Sequence, residues 1–174
     1  MSLEEKIKSY IRDIPDFPQK GIIFRDITPL LKQPAIVKEI IDRFEEFAKE
    51  KGVDVVAAIE SRGFIFAMPL CLRLEVPFVP IRKEGKLPWE TVKETYELEY
   101  GTATIEMHKD AIVSGQRVLL IDDLLATGGT SFASAKLVEK LGGKVVGIAF
   151  VIELTYLNGR EKLKDYDVLT LVKY

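Results

Sequence analysis

Fully apolar strand candidates alternating with amphipathic helices predict an α/β fold: a mainly parallel, twisted sheet with helices on both faces. Three observations carry this expectation. Val53 to Ile59, Val118 to Ile121 and Lys144 to Ile152 are apolar along nearly their whole length, helix-period segments lie between them, and glycines close the helices. Strands without polar alternation are buried on both faces, which right-handed crossovers in a parallel sheet require. In such sheets ligands bind beyond the carboxyl ends of the strands.

Taken in order, Ile36, Val37, Ile40, Ile41, Phe44, Phe47 and Ala48 follow a 3.6-residue period, with Pro34 suited to the helix start and Gly52 to its end. Val53 to Ile59 is the first buried strand. Gly63 to Leu74 reads as a second helix, in which Pro69 marks either the first turn or a kink. Pro77 to Ile81 is a short strand. Arg82 to Gly101 begins as a charged, aperiodic run broken by Gly85 and Pro88, which reads as a functional lid because long unstructured loops are uncommon in compact domains. Tyr96 to Tyr100 and Thr102 to Met107 then alternate as a hairpin turning at Gly101. Val118 to Ile121 leads through a glycine-rich turn into a helix from about Gly129 to Leu141, which Gly142 and Gly143 end. Lys144 to Ile152 and Val168 to Val172 complete the sheet.

The chain of 174 residues suits one domain, with 25 Lys and Arg against 27 Asp and Glu for a net charge of -2. That balance disfavours nucleic acid, whose binding needs a basic face, but leaves small anions open. Cys71 is the only cysteine, so neither an intrachain disulfide nor a cysteine-rich zinc site is available, and a reducing, cytoplasmic setting is expected. The first residues lack the basic-then-apolar order of a signal peptide, and no apolar run approaches the roughly 20 residues of a membrane span.

The most informative segment places Asp122 and Asp123 at the end of a buried strand, before Ala126-Thr127-Gly128-Gly129-Thr130-Ser131. Backbone N–H groups from Thr127 to Thr130 can close around a phosphate at a helix N-terminus, with hydroxyls as further donors. The carboxylates would accept hydrogen bonds from sugar hydroxyls or help hold a hydrated Mg²⁺. Neither G-x-x-x-x-G-K-[ST] nor a strand-linked G-x-G-x-x-G is present, so the pattern points to a ribose phosphate instead. The bland alternative is a helix cap beside two solvated acids.

Ile121 to Thr130 resembles the phosphoribosyl-pyrophosphate motif of the type I phosphoribosyltransferases, and Leu124-Leu125-Ala126-Thr127-Gly128-Gly129 is similar to the form in its adenine-using members. Phe17 to Leu31, Glu60 to Phe64, Arg82 to Pro88, Tyr96 to Gly101 and Glu153 to Thr155 extend the resemblance across nearly the whole chain. Ala67 departs from it, standing where the family has glycine. The resemblance implies a single domain over residues 1–174, with a hood from about 1–32 and a flexible lid at about 82–101. It implies transfer of the 5-phosphoribosyl group from phosphoribosyl pyrophosphate to N9 of adenine, giving AMP and pyrophosphate, with Mg²⁺ required and a homodimer usual. A 6-oxopurine acceptor and a non-catalytic sensor of phosphoribosyl pyrophosphate are the alternatives.

The family's roles fall on this sequence as follows. Ser61 and Arg62 hold pyrophosphate, and the cations Arg82, Lys83 and Lys86 lie over its exit, where developing charge on the leaving group is stabilised. Asp122 and Asp123 hold the ribose, while Ala126, Thr127, Gly128, Gly129 and Thr130 bind the 5′-phosphate. Ile23, Phe24, Arg25 and Leu154 form the adenine pocket. Glu99 assists proton transfer on the purine as acid, base or orienter, next to Tyr100 in the lid, and spacing alone does not separate it from Glu97. No direct protein ligand to the metal is implied; Mg²⁺ is expected to be held through substrate and water.

Overall fold

A computed structural model describes residues 1–98 and 101–174, so Glu99 and Tyr100 lie outside the described residues. The chain divides into two compact units, Met1–Arg43 and Phe44–Tyr174.

In the first unit, α1 (Leu3–Tyr10) opens with a capping box: the Ser2 hydroxyl accepts the Glu5 N–H at 3.2 Å, and the Glu5 carboxylate accepts the Ser2 N–H at 2.7 Å. The Ser2-x-x-Glu5 pattern is the sequence signal for this helix. A two-stranded antiparallel ladder follows, β1 (Arg12–Pro15) with β2 (Ile23–Asp26), in register from Arg12↔Asp26 to Pro15↔Ile23. Phe17 meets Phe24 edge to face at 5.2 Å between ring centroids. After the single turn α2 (Thr28–Leu31) comes α3 (Pro34–Lys51), matching the helical period from Ile36 to Ala48.

The second unit is built on a seven-stranded sheet. Five strands run parallel: β3 (Val55–Ile59), β4 (Phe78–Lys83), β7 (Arg117–Leu125), β8 (Lys144–Glu153) and β9 (Val168–Lys173). The antiparallel hairpin of β5 (Thr91–Leu98) and β6 (Gly101–His108) is added at one edge, giving the order β5-β6-β4-β3-β7-β8-β9. From β3 the chain crosses to β4 through α4 (Arg62–Leu74), and from β7 to β8 through α5 (Gly129–Lys140), in opposite directions across the sheet. Two right-handed crossovers running opposite ways put their helices on opposite faces. Side-chain parity agrees: Ala57, Ile59, Val118, Leu120 and Phe150 join Leu137 and Val138 of α5 in one core. Val56, Ala58, Leu119 and Ile121, fully buried on the other face, belong to the side where Phe66 of α4 meets Phe44 of α3.

Several boundaries differ from the sequence expectation for physical reasons. β7 runs on to Leu125 because its pairing with β8 continues through Asp122↔Phe150 to Leu125↔Glu153, so the acid pair lies within the strand. The expected lid is largely strand: Arg82 and Lys83 finish β4, residues 84–90 form an irregular turn, and β5 pairs along its whole length from Thr91↔His108 to Leu98↔Gly101. An edge strand keeps one face in solvent, so it needs few apolar residues. Here the β-favouring Thr91, Val92, Thr95 and Tyr96 suffice, with Thr95 and Thr104 joined by a 2.8 Å hydroxyl contact. Pro69 neither begins nor breaks α4, which passes through it.

Candidate active site

The point between β3 and β7, where the crossovers diverge, is where a doubly wound sheet opens a crevice. A cleft of about 470 Å³ lies there, within the range of small-molecule sites. Its wall is made by Ile59 to Arg62 after β3, Ile81 to Lys83 at the end of β4, Asp122 to Leu124 of β7, Tyr96 and Ile105 of the hairpin, and Thr130 of α5. The pairing of β3 with β7 ends at Ala58↔Ile121, so the acids of β7 emerge where one neighbour has already turned away.

At that turn the Glu60–Ser61 peptide is cis and α4 begins. Gly63 is needed for the approach: a Cβ on it would sit 2.8 Å from the Ile121 carbonyl oxygen and 3.2 Å from the Asp122 Cα. The close contact brings Arg62 Nε to 2.8 Å from Oδ2 of Asp123, which is only 3% exposed. The Asp123 N–H donates to Asp122 Oδ1 at 2.8 Å. Burial, then the neighbouring Asp123 carboxylate, push the Asp122 carboxyl well above its ordinary range, with the Arg62 charge opposing them.

Across the cleft, Arg82 Nε binds Glu60 Oε2 at 2.5 Å, and its Nη1 donates to the Lys86 carbonyl at 3.3 Å. Burial raises the Glu60 carboxyl, but the Arg82 bond, a backbone N–H from Lys83 and the charges of Arg82 and Lys86 outweigh it, and the net shift is downward. Arg82 is thus already matched by an acid. Lys83 lines the cleft without an ion-pair partner among the described residues, whereas Lys86 is exposed and not part of the wall. The turn that carries Lys86 is fastened by Glu106, a buried carboxylate whose Oε1 accepts the N–H groups of Gly85 and Leu87, each at 3.1 Å, while Oε2 accepts the Thr91 hydroxyl at 3.2 Å.

Between β7 and α5 the chain turns through Ala126, Thr127 and Gly128, the last at φ +82°. No side chain caps α5 at Gly128, so the first N–H groups of the helix remain available to an anion. Thr130 donates to the Tyr96 hydroxyl at 2.9 Å, joining this turn to the hairpin. Glu97 borders a different depression, with Phe132 and Lys162, and not the cleft.

Ser61, Arg62, Arg82, Lys83, Asp122, Asp123 and Thr130 thus meet around one cleft, with Ala126 to Gly129 continuing from its wall. Ile23, Phe24 and Arg25 lie on β2 of the first unit, where Arg25 Nη1 is 2.5 Å from Asp13 Oδ1; Leu154 is a buried residue of the second unit. The sequence reading missed Glu60, Tyr96 and Glu106. Only Glu106 carried a visible signal, a carboxylate set between Ile105 and Met107 in an apolar strand.

A doubly wound α/β protein with a cleft that opposes cations and paired acids beside an uncapped helix is the class this geometry defines. The phosphoribosyl transferase domain family matches residues 26–173, and the chain belongs to it. An adenine phosphoribosyltransferase of Thermoanaerobacter sp. (strain X514) is 57% identical over 174 residues, covering 100% of both chains. The solved adenine phosphoribosyltransferase of Thermoanaerobacter pseudethanolicus is 55% identical with a TM-score of 0.95, over 99% of this chain and 100% of that one. The Saccharomyces cerevisiae enzyme, complexed with an imino-altritol bisphosphate and adenine, is 41% identical with a TM-score of 0.92, over 97% and 98% of the two chains. This chain is accordingly a transferase with the type I phosphoribosyltransferase fold.

Two consequences can be measured. An acid whose folded pKa is raised costs stability as pH climbs from its unfolded value, here about 3.8, through the folded one. Asp122→Asn is therefore expected to match wild type in thermal stability at the acid end of that window and to exceed it at neutral pH; a constant difference across pH would contradict the assignment. Glu106→Ala is expected to lose about 1–3 kcal/mol in urea denaturation, because two N–H groups lose a charged acceptor. Glu106→Gln, which keeps one acceptor oxygen, is expected to recover much of that loss.

Proposed function

We propose that this chain transfers the 5-phosphoribosyl group of phosphoribosyl pyrophosphate to N9 of adenine, releasing AMP and pyrophosphate. The observation that carries the reading is the convergence of Asp122, Asp123 and Arg62 beside the Gly128 turn. Phosphate at the N-terminus of α5, ribose hydroxyls on the acids and pyrophosphate toward Ser61, Arg62 and Lys83 form a continuous path along the ends of the strands. Relatives that are adenine phosphoribosyltransferases support the choice of base.

During the reaction the bond from C1′ to the pyrophosphate oxygen breaks, N9 forms its bond to C1′, and the purine gives up a ring proton. Charge moves onto pyrophosphate, so Arg62 and Lys83 stabilise the transition state more than the bound donor. Arg82, already paired with Glu60, serves chiefly to shape the turn and contributes to binding if that pair opens, with Lys86 following it. Ala126, Thr127, Gly128, Gly129 and Thr130 anchor the 5′-phosphate throughout. Adenine recognition is assigned to Ile23, Phe24 and Arg25 of β2, with backbone groups of Ile23 and Arg25 offered to the base, and to Leu154. Glu99, which precedes Tyr100 in the sequence, is assigned the transfer of the purine proton as acid, base or orienter.

Magnesium fits this donor set as a substrate-borne ion. The paired carboxylates Asp122 and Asp123 suit a hydrated cation reached through water. Asp122 and Asp123 would hold such an ion through water, and its charge would offset that of the phosphate oxygens of the donor. A homodimer is supported by the exposed stripe of Ile65, Met68 and Leu72 on α4, at 40%, 44% and 69% exposure and helical spacing. A cytoplasmic site is supported by the buried free Cys71, whose thiol burial pushes up to about 11. Among the described residues no helix is long and apolar enough to cross a membrane.

Purified protein with phosphoribosyl pyrophosphate and Mg²⁺ is expected to form nucleotide from adenine far faster than from hypoxanthine or guanine; preference for a 6-oxopurine, or no turnover, would overturn the reading. Glu99→Ala is expected to lower kcat at least about tenfold, in line with general acid or base assistance, with a smaller change in KM for the donor. Unchanged kcat would remove Glu99 from the chemistry.

A further inference from the structure

Behind the Ala126 to Gly129 turn lies a segment to which no role has been given. It begins at Gly159, the first residue of a short 3-10 helix (Gly159–Leu163). A Cβ on Gly159 would overlap the Ala126 carbonyl oxygen and come within 3.0 Å of the Gly128 nitrogen, and a Cβ on Gly128 would come within 2.5 Å of the Gly159 oxygen. The two backbones therefore touch with no side chain between them.

The next residue fixes this contact to the sheet. Arg160 grips Glu153 with two parallel bonds, Nε to Oε1 at 3.0 Å and Nη2 to Oε2 at 2.7 Å. Its remaining donors reach the Val168 carbonyl at 3.2 Å and the Thr170 hydroxyl at 3.1 Å, and Thr170 in turn donates to Glu153 at 2.8 Å. Glu153 is 5% exposed and pairs in register with Leu125, the residue that leads into the turn. A planar fork matched to a buried carboxylate holds position more sharply than a single charge would.

We propose that Gly159, clamped in place by the Arg160–Glu153 pair, is a positioning element for the phosphate loop, setting from behind the curvature that aims its N–H groups at the 5′-phosphate. The inference rests on the reading of that loop as the phosphate site. It names residues outside the cleft wall that act only through the loop, so their loss is felt by ligands carrying the 5′-phosphate and not by those held at Ser61 and Arg62.

Calorimetric titration of the full chain with AMP and, separately, with pyrophosphate in the presence of Mg²⁺ tests this. Gly159→Ala is expected to weaken AMP binding at least tenfold while pyrophosphate affinity stays within about twofold. Arg160→Lys, which keeps the charge but loses the fork, is expected to show the same selectivity at smaller size, and it decides the matter if Gly159→Ala does not fold. Lys162→Ala, an exposed change in the same segment, is expected to alter neither. Unchanged AMP affinity in the folded variants, or equal weakening of both ligands, would reduce the clamp to a purely structural role and overturn the proposal. Wild-type protein that binds AMP no better than adenosine would instead refute the phosphate-site reading itself.

Discussion

The contact between Arg62 and Asp123 is the constraint around which the second unit is arranged. It forms only because β3 turns away from β7 one residue before the acids and because Gly63 lets α4 sit directly on the β7 backbone. Lengthening the pairing by two residues would close β3 along both acids, and a side chain at residue 63 would push α4 off the β7 backbone. The cleft is what remains between two strands that part at this point.

Such a site works against the stability of its own fold. Two adjacent carboxylates in a strand repel each other, and the first is held where burial disfavours its charge. Arg62 offsets part of that cost, and a bound sugar with its cation would offset more. The clamp at Glu153 is the opposite case: the Arg160 hydrogen bonds, opposed by burial, hold the carboxyl below its usual range, so the ion pair persists at mildly acid pH. One pair stands in the cleft and the other joins two strands of the sheet, although both link an arginine to a buried acid.

Much of this was legible in the sequence where a residue's chemistry and its local pattern agree. The apolar runs of β3, β7 and β8 announced a buried parallel sheet, and Asp122-Asp123 followed by Gly128-Gly129 announced two acids before a turn into a helix. Only the end of β5 was legible, where Tyr96 to Leu98 alternate into the hairpin; Thr91 to Thr95, on an edge strand with one wet face, have neither a continuous apolar run nor a strict alternation. Glu60 carried no assigned role in the sequence and is the partner of Arg82, a pairing set by strands that are adjacent only in space. Tyr96 and Thr130 are separated by 34 positions, and nothing local to either predicts their hydrogen bond. Gly159 gave no signal either, since its requirement comes from the Ala126 carbonyl on another segment.

Fastening the 84–90 turn by one buried carboxylate has an entropic consequence. Each freely jointed residue that must be ordered around a transition state costs about 1–2 kcal/mol of backbone freedom. Glu106 makes that payment at folding, since Gly85, Leu87 and Thr91 are already tied to β6. Lys86, and Lys83 at the end of β4 just before it, are therefore carried on a preformed piece, and any movement of the turn is a hinge motion of that piece with few degrees of freedom left to freeze.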